Sequence, residues 1–266
     1  MTETVFFTLT RGELPVLIAL PHTGLALAPG QEARMTATGQ ARPDTDWHMT
    51  QLYDFAPELG IGVLAATHSR YVIDLNRGPD DATLYPGRPK TGLVPEASFD
   101  GAPLYHEGMG PDTTEIAARR ALFWQPYHDA LAAELARLKA LWGWAVLWDG
   151  HSIRSRVPRL FEGKLPDLNL GTNDGASCAP KLRNLVAQEL ESQSLFSHVI
   201  DGRFKGGYTT RHYGQPHDNI HALQMEMAQS TYLEREEAPW TISSAGTKRC
   251  QSVLVPVLRQ VASWRP

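Results

Sequence analysis

The chain has 266 residues, with 25 Lys and Arg against 29 Asp and Glu, a formal net charge of −4. At 42% hydrophobic and 20% charged residues it is long and apolar enough to bury a sizeable core, which excludes a disordered chain. Its mild acidity argues against non-specific binding to nucleic acid, and two cysteines beside ten histidines exclude a disulfide framework or a thiolate zinc site. Any metal must then be held by histidine and carboxylate. The first residues lack the basic segment of a secretory signal. The longest apolar runs, at 16–20 and 142–148, fall far short of the ~20 residues that cross a bilayer. A soluble, cytoplasmic protein is expected, with neither membrane nor nucleic-acid partner.

Taken in chain order, residues 5–10 alternate weakly and predict a strand. The continuous apolar run at 15–22 predicts a buried central strand. Residues 46–59 place Leu52, Phe55, Ala56 and Leu59 on one helical face, and 61–67 read as a second buried strand. Residues 76–111, rich in glycine and proline, and residues 155–177 predict long irregular loops, which in a compact domain are functional or mobile; one of them is expected to close over a substrate. Asp112-Thr-Thr-Glu115 is a capping-box start for a helix through Phe123, Tyr127, Leu131, Leu135, Leu138 and Trp142, with a kink or split expected at Pro126. Strands are predicted at 144–149, 197–202 and 221–227. Helices are predicted at 179–192 and at the C-terminus through Val253, Val257 and Val261, the last interrupted by Pro256. Strands alternating with helices predict an α/β layered sheet, and the absence of a linker predicts a single domain over 1–266.

Six segments carry chemistry. His22 stands just after one buried strand and His151, in Asp149-Gly-His-Ser-Ile-Arg154, after another. Strand ends face the usual ligand crevice of open α/β sheets, so the two histidines can converge on a metal, with Asp149 bonding a ring nitrogen. Asp44 and Asp46 precede a helix; either caps it or completes a His–carboxylate–His set with one open position, the layout of a catalytic zinc site. His48 is a further ligand candidate, more readily explained as a surface histidine. In Ser69-Arg70-Tyr-Val-Ile-Asp74-Leu-Asn76-Arg77 a short strand is expected between two arginines. Arg77 with Asn76 suits a carboxylate clamp and Arg70 an oxyanion, whereas an ion pair with Asp74 is the structural alternative. The basic loop 203–214, with Lys205, Arg211 and His212, lacks nucleotide-loop spacings and fits a small anion or a solvated hairpin. In 221–227, alternation sends Leu223, Met225 and Met227 one way and Gln224 and Glu226 the other, which makes Glu226 a candidate general base unless it lies on an exposed edge strand. No G-x-S-x-G or H-E-x-x-H motif is present, and the flanks of Cys178 do not suit a nucleophile.

These segments, in this order and spacing from residue 20 to 227, resemble the N-formylglutamate amidohydrolase family. The resemblance implies a three-layer α/β/α fold with a central mixed sheet, like that of zinc exopeptidases and phosphorylase/hydrolase-like proteins. It implies metal-dependent hydrolysis of N-formyl-L-glutamate, a small anionic N-acyl amino acid, to formate and L-glutamate in histidine degradation. It also implies Zn2+ or another divalent metal on His22, Asp46 and His151, with Glu226 and Arg70 catalytic and Asn76, Arg77, Arg154 and Arg211 on the substrate carboxylates. Asp46 is assigned within this resemblance, since carboxypeptidase-like enzymes place a glutamate three residues after the first histidine and this chain has Leu25 there. The competing readings are a deacylase of another N-acyl amino acid, a carboxypeptidase-like hydrolase, and a non-catalytic metabolite-binding protein.

Overall fold

The computed structural model describes residues 6–82 and 91–266. Its strands are β1 (Phe7–Thr10), β2 (Val16–Leu20), β3 (Gly62–Ala66), β4 (Ala145–Ile153), β5 (Leu168–Gly171), β6 (His198–Ile200) and β7 (Ile220–Ala228). Its α-helices are α1 (Ala37–Ala41), α2 (Met49–Leu52), α3 (Thr113–Arg119), α4 (Gln125–Trp142), α5 (Pro180–Ser192), α6 (Tyr208–Tyr213) and α7 (Ser244–Ser263). The strands form one mixed sheet in the order β1-β3-β2-β4-β7-β5-β6. β3, β2, β4 and β7 are parallel, whereas β1 and β5 run antiparallel to β3 and β7.

The central strands are apolar throughout because both sheet faces are covered. Along β2, Val16, Ile18 and Leu20 join a core built with residues of α2, α5 and α7, while Leu17 and Ala19 join the opposite core with Phe123, Tyr127, Leu131 and Leu135. Three layers result. On β7, Leu223, Met225 and Met227 enter the first core, as the alternation predicts. β7 lies between β4 and β5, so Glu226 is not on an edge strand.

Five local expectations need correction. Residues 46–59 give only α2 and a 3-10 turn at Pro57–Leu59, because His48 adopts φ +56° and Pro57 has no N–H to extend a helix. Pro126 does not split the long helix: a π turn at Arg120–Trp124 precedes it, and Pro126 sits in the first turn of α4, where a missing N–H is tolerated. Helix α7 continues through Pro256. The supposedly irregular stretch 155–177 contains β5, four buried residues paired with β7 and β6. Finally, residues 69–78 form turns instead of a strand. Part of the 76–111 loop, residues 83–90, lies outside the described residues. Among the described residues no helix is long and apolar enough to cross a membrane.

Candidate metal centre and active site

Three adjacent parallel strands deliver side chains to one end of the sheet. His22 follows β2 by two residues. Asp149 and His151 lie on β4, and Gln224 and Glu226 lie opposite them on β7, in the register Asp149↔Gln224 and His151↔Glu226. Cross-strand partners share a face, so these four project together. Asp46 arrives on the loop between α1 and α2, where its N–H donates to the His22 carbonyl at 3.1 Å.

One ligating atom each from His22, Asp46 and His151 lies within 4.8 Å of the others, and all three residues are buried. His22 Nε2 is 2.7 Å from Asp74 Oδ1, and His151 Nε2 is 3.0 Å from Asp149 Oδ1. A carboxylate only accepts, so His22 donates from Nε2 to Asp74, whereas His151 has a carboxylate at each ring nitrogen, Asp149 at Nε2 and Asp46 at Nδ1. Each Nδ1 faces Asp46 Oδ2, at 3.7 Å from His22 and 3.1 Å from His151. Carboxylate–histidine pairs of this kind fix the orientation of metal-binding imidazoles. Asp149 also accepts from Thr210 Oγ1 at 2.9 Å.

The electrostatics fit a cation. Burial would raise the Asp46 carboxyl, but hydrogen bonds with His151 and His22 outweigh it and hold it below the ordinary carboxylate range. Burial opposes charge on His151, yet Asp149 and Asp46 lift its pKa well above the usual histidine value. Asp46, Asp74 and Asp149 are all buried around one buried guanidinium, that of Arg70. Such an excess of buried negative charge is costly unless a cation balances it. Two imidazole nitrogens and one carboxylate oxygen are a suitable donor set for zinc with an open position.

Arg70 borders this centre. Its Nη2 donates to Asp74 Oδ2 at 2.5 Å, while Nη1 lies 3.3 Å from His22 Nδ1 and 4.0 Å from Asp46 Oδ1. The expected ion pair with Asp74 and a place at the centre therefore coexist. Glu226 is buried, and its Oε2 accepts from Gln224 Nε2 at 3.2 Å. Burial raises its carboxyl to about 8, with Asp46 and Asp149 adding to the shift against the pull of His151 and Arg70.

A family model described as N-formylglutamate amidohydrolase matches residues 14–233. The chain belongs to the N-formylglutamate amidohydrolase family. A relative from Pseudomonas aeruginosa named N-formylglutamate deformylase is 50% identical over 254 residues, covering 96% of this chain and 95% of the relative. One of the same name from Pseudomonas putida is 48% identical, covering 96% and 94%. The crystal structure of N-formylglutamate amidohydrolase from Ralstonia eutropha JMP134 superposes with a TM-score of 0.82 at 27% identity, covering 97% of both chains.

In this N-formylglutamate amidohydrolase family member the remaining candidates divide. Asn76 is buried at the centre: its Nδ2 is 3.0 Å from His151 Nε2, and its Oδ1 accepts from Thr209 N at 2.9 Å. The Arg77 guanidinium turns to the Thr91 carbonyl and hydroxyl, both at 3.2 Å. Arg154 Nη2 donates to Asp100 Oδ2 at 2.7 Å and lies 3.9 Å from Asp44 Oδ1. Arg211 Nε donates to the Gly206 carbonyl at 2.8 Å. Asp44 accepts from Tyr71 Oη and the Phe99 N–H, and it is not in the ligand cluster. Neither is His48, whose Nε2 lies 2.7 Å from the Trp240 carbonyl. The loop 203–214 is not a hairpin; it carries α6, with Tyr208 and His212 stacked at 4.9 Å.

Sequence reasoning missed what holds Asp46. Ser152 N donates to Asp46 Oδ2 at 3.1 Å. Tyr232 Oη contacts Ser152 Oγ at 2.7 Å and the Trp47 carbonyl at 2.9 Å, and Gln229 Nε2 donates to the Thr45 carbonyl at 2.8 Å. No motif marks these residues. The orienting role of Asp74 was also missed, although its spacing after Arg70 was visible.

Proposed function

We propose that this protein is a divalent-metal-dependent, most economically zinc-dependent, N-formylglutamate deformylase, cleaving N-formyl-L-glutamate to formate and L-glutamate. The observation that carries the reading is the buried His22–Asp46–His151 donor set with Glu226 in register beside His151. The names of the half-identical relatives support the substrate. A divalent metal on these residues would lower the pKa of a water from ~16 towards ~7 and polarise a carbonyl.

The protein's own groups do the rest. Glu226 takes a proton from the attacking water as the water oxygen bonds to the formyl carbon. Arg70 donates to the carbonyl oxygen as negative charge gathers there. When the C–N bond breaks, the proton held by Glu226 passes to the leaving nitrogen, a transfer suited to a carboxyl raised to about 8. Asn76 and Arg77 serve one substrate carboxylate. Arg154 serves the other, with Asp100 as its internal partner until substrate replaces it, and Arg211 stands as the alternative clamp. A single domain over 1–266 and a cytoplasmic location complete the reading; the buried free thiols of Cys178 and Cys250 suit a reducing compartment.

Metal analysis of the purified protein, combined with formate release from N-formylglutamate, N-formylaspartate and N-formylmethionine and glutamate release from N-acetylglutamate, tests this. Stoichiometric zinc and fastest turnover of N-formylglutamate are expected. Faster turnover of the monocarboxylic substrate rejects the substrate assignment. A protein without metal or turnover is a binding protein.

A further inference from the structure

The segment that carries Arg70, Asp74 and Asn76 has no helix or strand to hold it, yet every residue from 70 to 76 is buried. A buried irregular backbone must find partners for its carbonyls outside a ladder. Gln31 Nε2 donates to the Tyr71 carbonyl at 2.8 Å, and the Arg77 and Tyr208 N–H groups reach the carbonyls of Asp74 and Asn76. The other partners come from side chains of one continuous helical stretch, α3 through α4. Arg119 Nη1 donates to the carbonyls of Tyr71 and Val72 at 3.2 and 2.9 Å. His128 Nε2 lies 2.9 Å from the carbonyl of Leu75, and Trp124 Nε1 donates to that of Arg77 at 2.9 Å. The last two flank Asn76 on either side.

Trp124 and His128 are four residues apart and so share a helix face; their rings meet at 3.9 Å. Trp124 closes the π turn, whose extra residue per turn resets the helix face just before Pro126. Burial pushes the His128 pKa down to about 4, so the ring is neutral near pH 7. Its Nδ1 faces Tyr213 Oη at 3.0 Å, which leaves the Nε2 proton for Leu75. Asp74, one residue before Leu75, orients His22, and Asn76 touches His151.

We infer that Trp124 and His128 are positioning residues of the metal centre: gripping the carbonyls on both sides of Asn76, they fix the segment that orients both histidine ligands. The inference rests on the reading that His22, Asp46 and His151 bind a divalent metal. Both positioning residues act through backbone carbonyls of this segment.

The test is the zinc affinity of metal-stripped protein, by competition with a chromophoric chelator, together with kcat and KM. Trp124→Phe keeps most of the ring and removes only the N–H donor. We expect it to weaken zinc about 10-fold, within the range for partners of metal-binding histidines, and to lower kcat with KM changed less than about threefold. His128→Leu should behave likewise, and His128→Gln, which returns an amide donor at the distal position, should recover most of the affinity. Leu138→Val, a buried change on the same helix, should lower stability and leave zinc affinity unchanged. Unchanged affinity in folded Trp124→Phe overturns the inference, as does an equal loss in Leu138→Val or a His128→Gln no better than His128→Leu. A parent protein that binds no zinc overturns the metal reading and this inference with it.

Discussion

Glu226→Gln preserves the shape of a buried side chain and removes its charge, and its consequences for stability and activity have opposite signs. Folding raises this carboxyl from 4.5 to about 8, chiefly by burial. A raised acid keeps its proton in the folded state across a range where the unfolded chain has released it. The stability of metal-stripped protein is therefore expected to fall as pH rises from about 4.5 to about 8, by up to about 1.4 kcal/mol per pH unit, and then to level. Over the whole window the ionised carboxylate costs on the order of 3–5 kcal/mol. Glutamine has no proton to lose and still accepts from Gln224. Urea denaturation of both proteins with chelator present, at pH 5, 7 and 9, should show near-equal stability at pH 5 and the variant more stable at pH 9 by a few kcal/mol. Formate release should fall by roughly 10²–10⁴, the usual contribution of a general acid–base group. A stability gap that does not widen with pH would refute the burial argument, and retained turnover would refute the catalytic one.

Asp74→Asn and Asp149→Asn each replace the acceptor of an imidazole N–H, so zinc affinity should drop about 10–100-fold in each; unchanged chelator competition would show that they do not orient the ligands. Arg154→Gln is expected to raise KM for N-formylglutamate about 10–100-fold, losing a charge-assisted clamp, and to leave N-formylnorvaline, which lacks the distal carboxylate, within about twofold. Equal effects on both substrates would remove Arg154 from that role. A Cβ added at Gly207 would sit 2.3 Å from Asn76 Nδ2 and 2.5 Å from its Oδ1. Gly207→Ala should thus cost about 1–3 kcal/mol by overpacking and lower kcat. The same change on an Asn76→Ala background should cost under about 1 kcal/mol, and strictly additive costs in that double-mutant cycle would be evidence against the contact.

Local periodicity made the central sheet legible. The runs at 15–22, 61–67 and 144–149 are apolar because those strands are covered on both faces, and alternation in 221–227 placed Glu226 on the face opposite Leu223, Met225 and Met227 before any fold was known. Composition alone confined a metal to nitrogen and oxygen donors. The choice between Asp44 and Asp46, in contrast, was not written in the loop that holds both, and the family resemblance was needed to make it. Structurally it is decided by Tyr71 and Phe99, which occupy Asp44, and by His151, 105 residues away, which meets Asp46. Strand β5 stayed hidden because four residues are too short for a periodic signal, and its pairing with β7 is what forms it. The segment 69–78 misled for a related reason. Its apolar residues mimic a strand, but the carbonyls of Val72, Leu75 and Arg77 are taken by Arg119, His128 and Trp124 instead of a neighbouring strand. Residue types and local period thus determined which chemistry and which sheet this chain builds. Partners distant in sequence, brought together only by packing, decided which carboxylate, which tautomer and which arginine stand where that chemistry occurs.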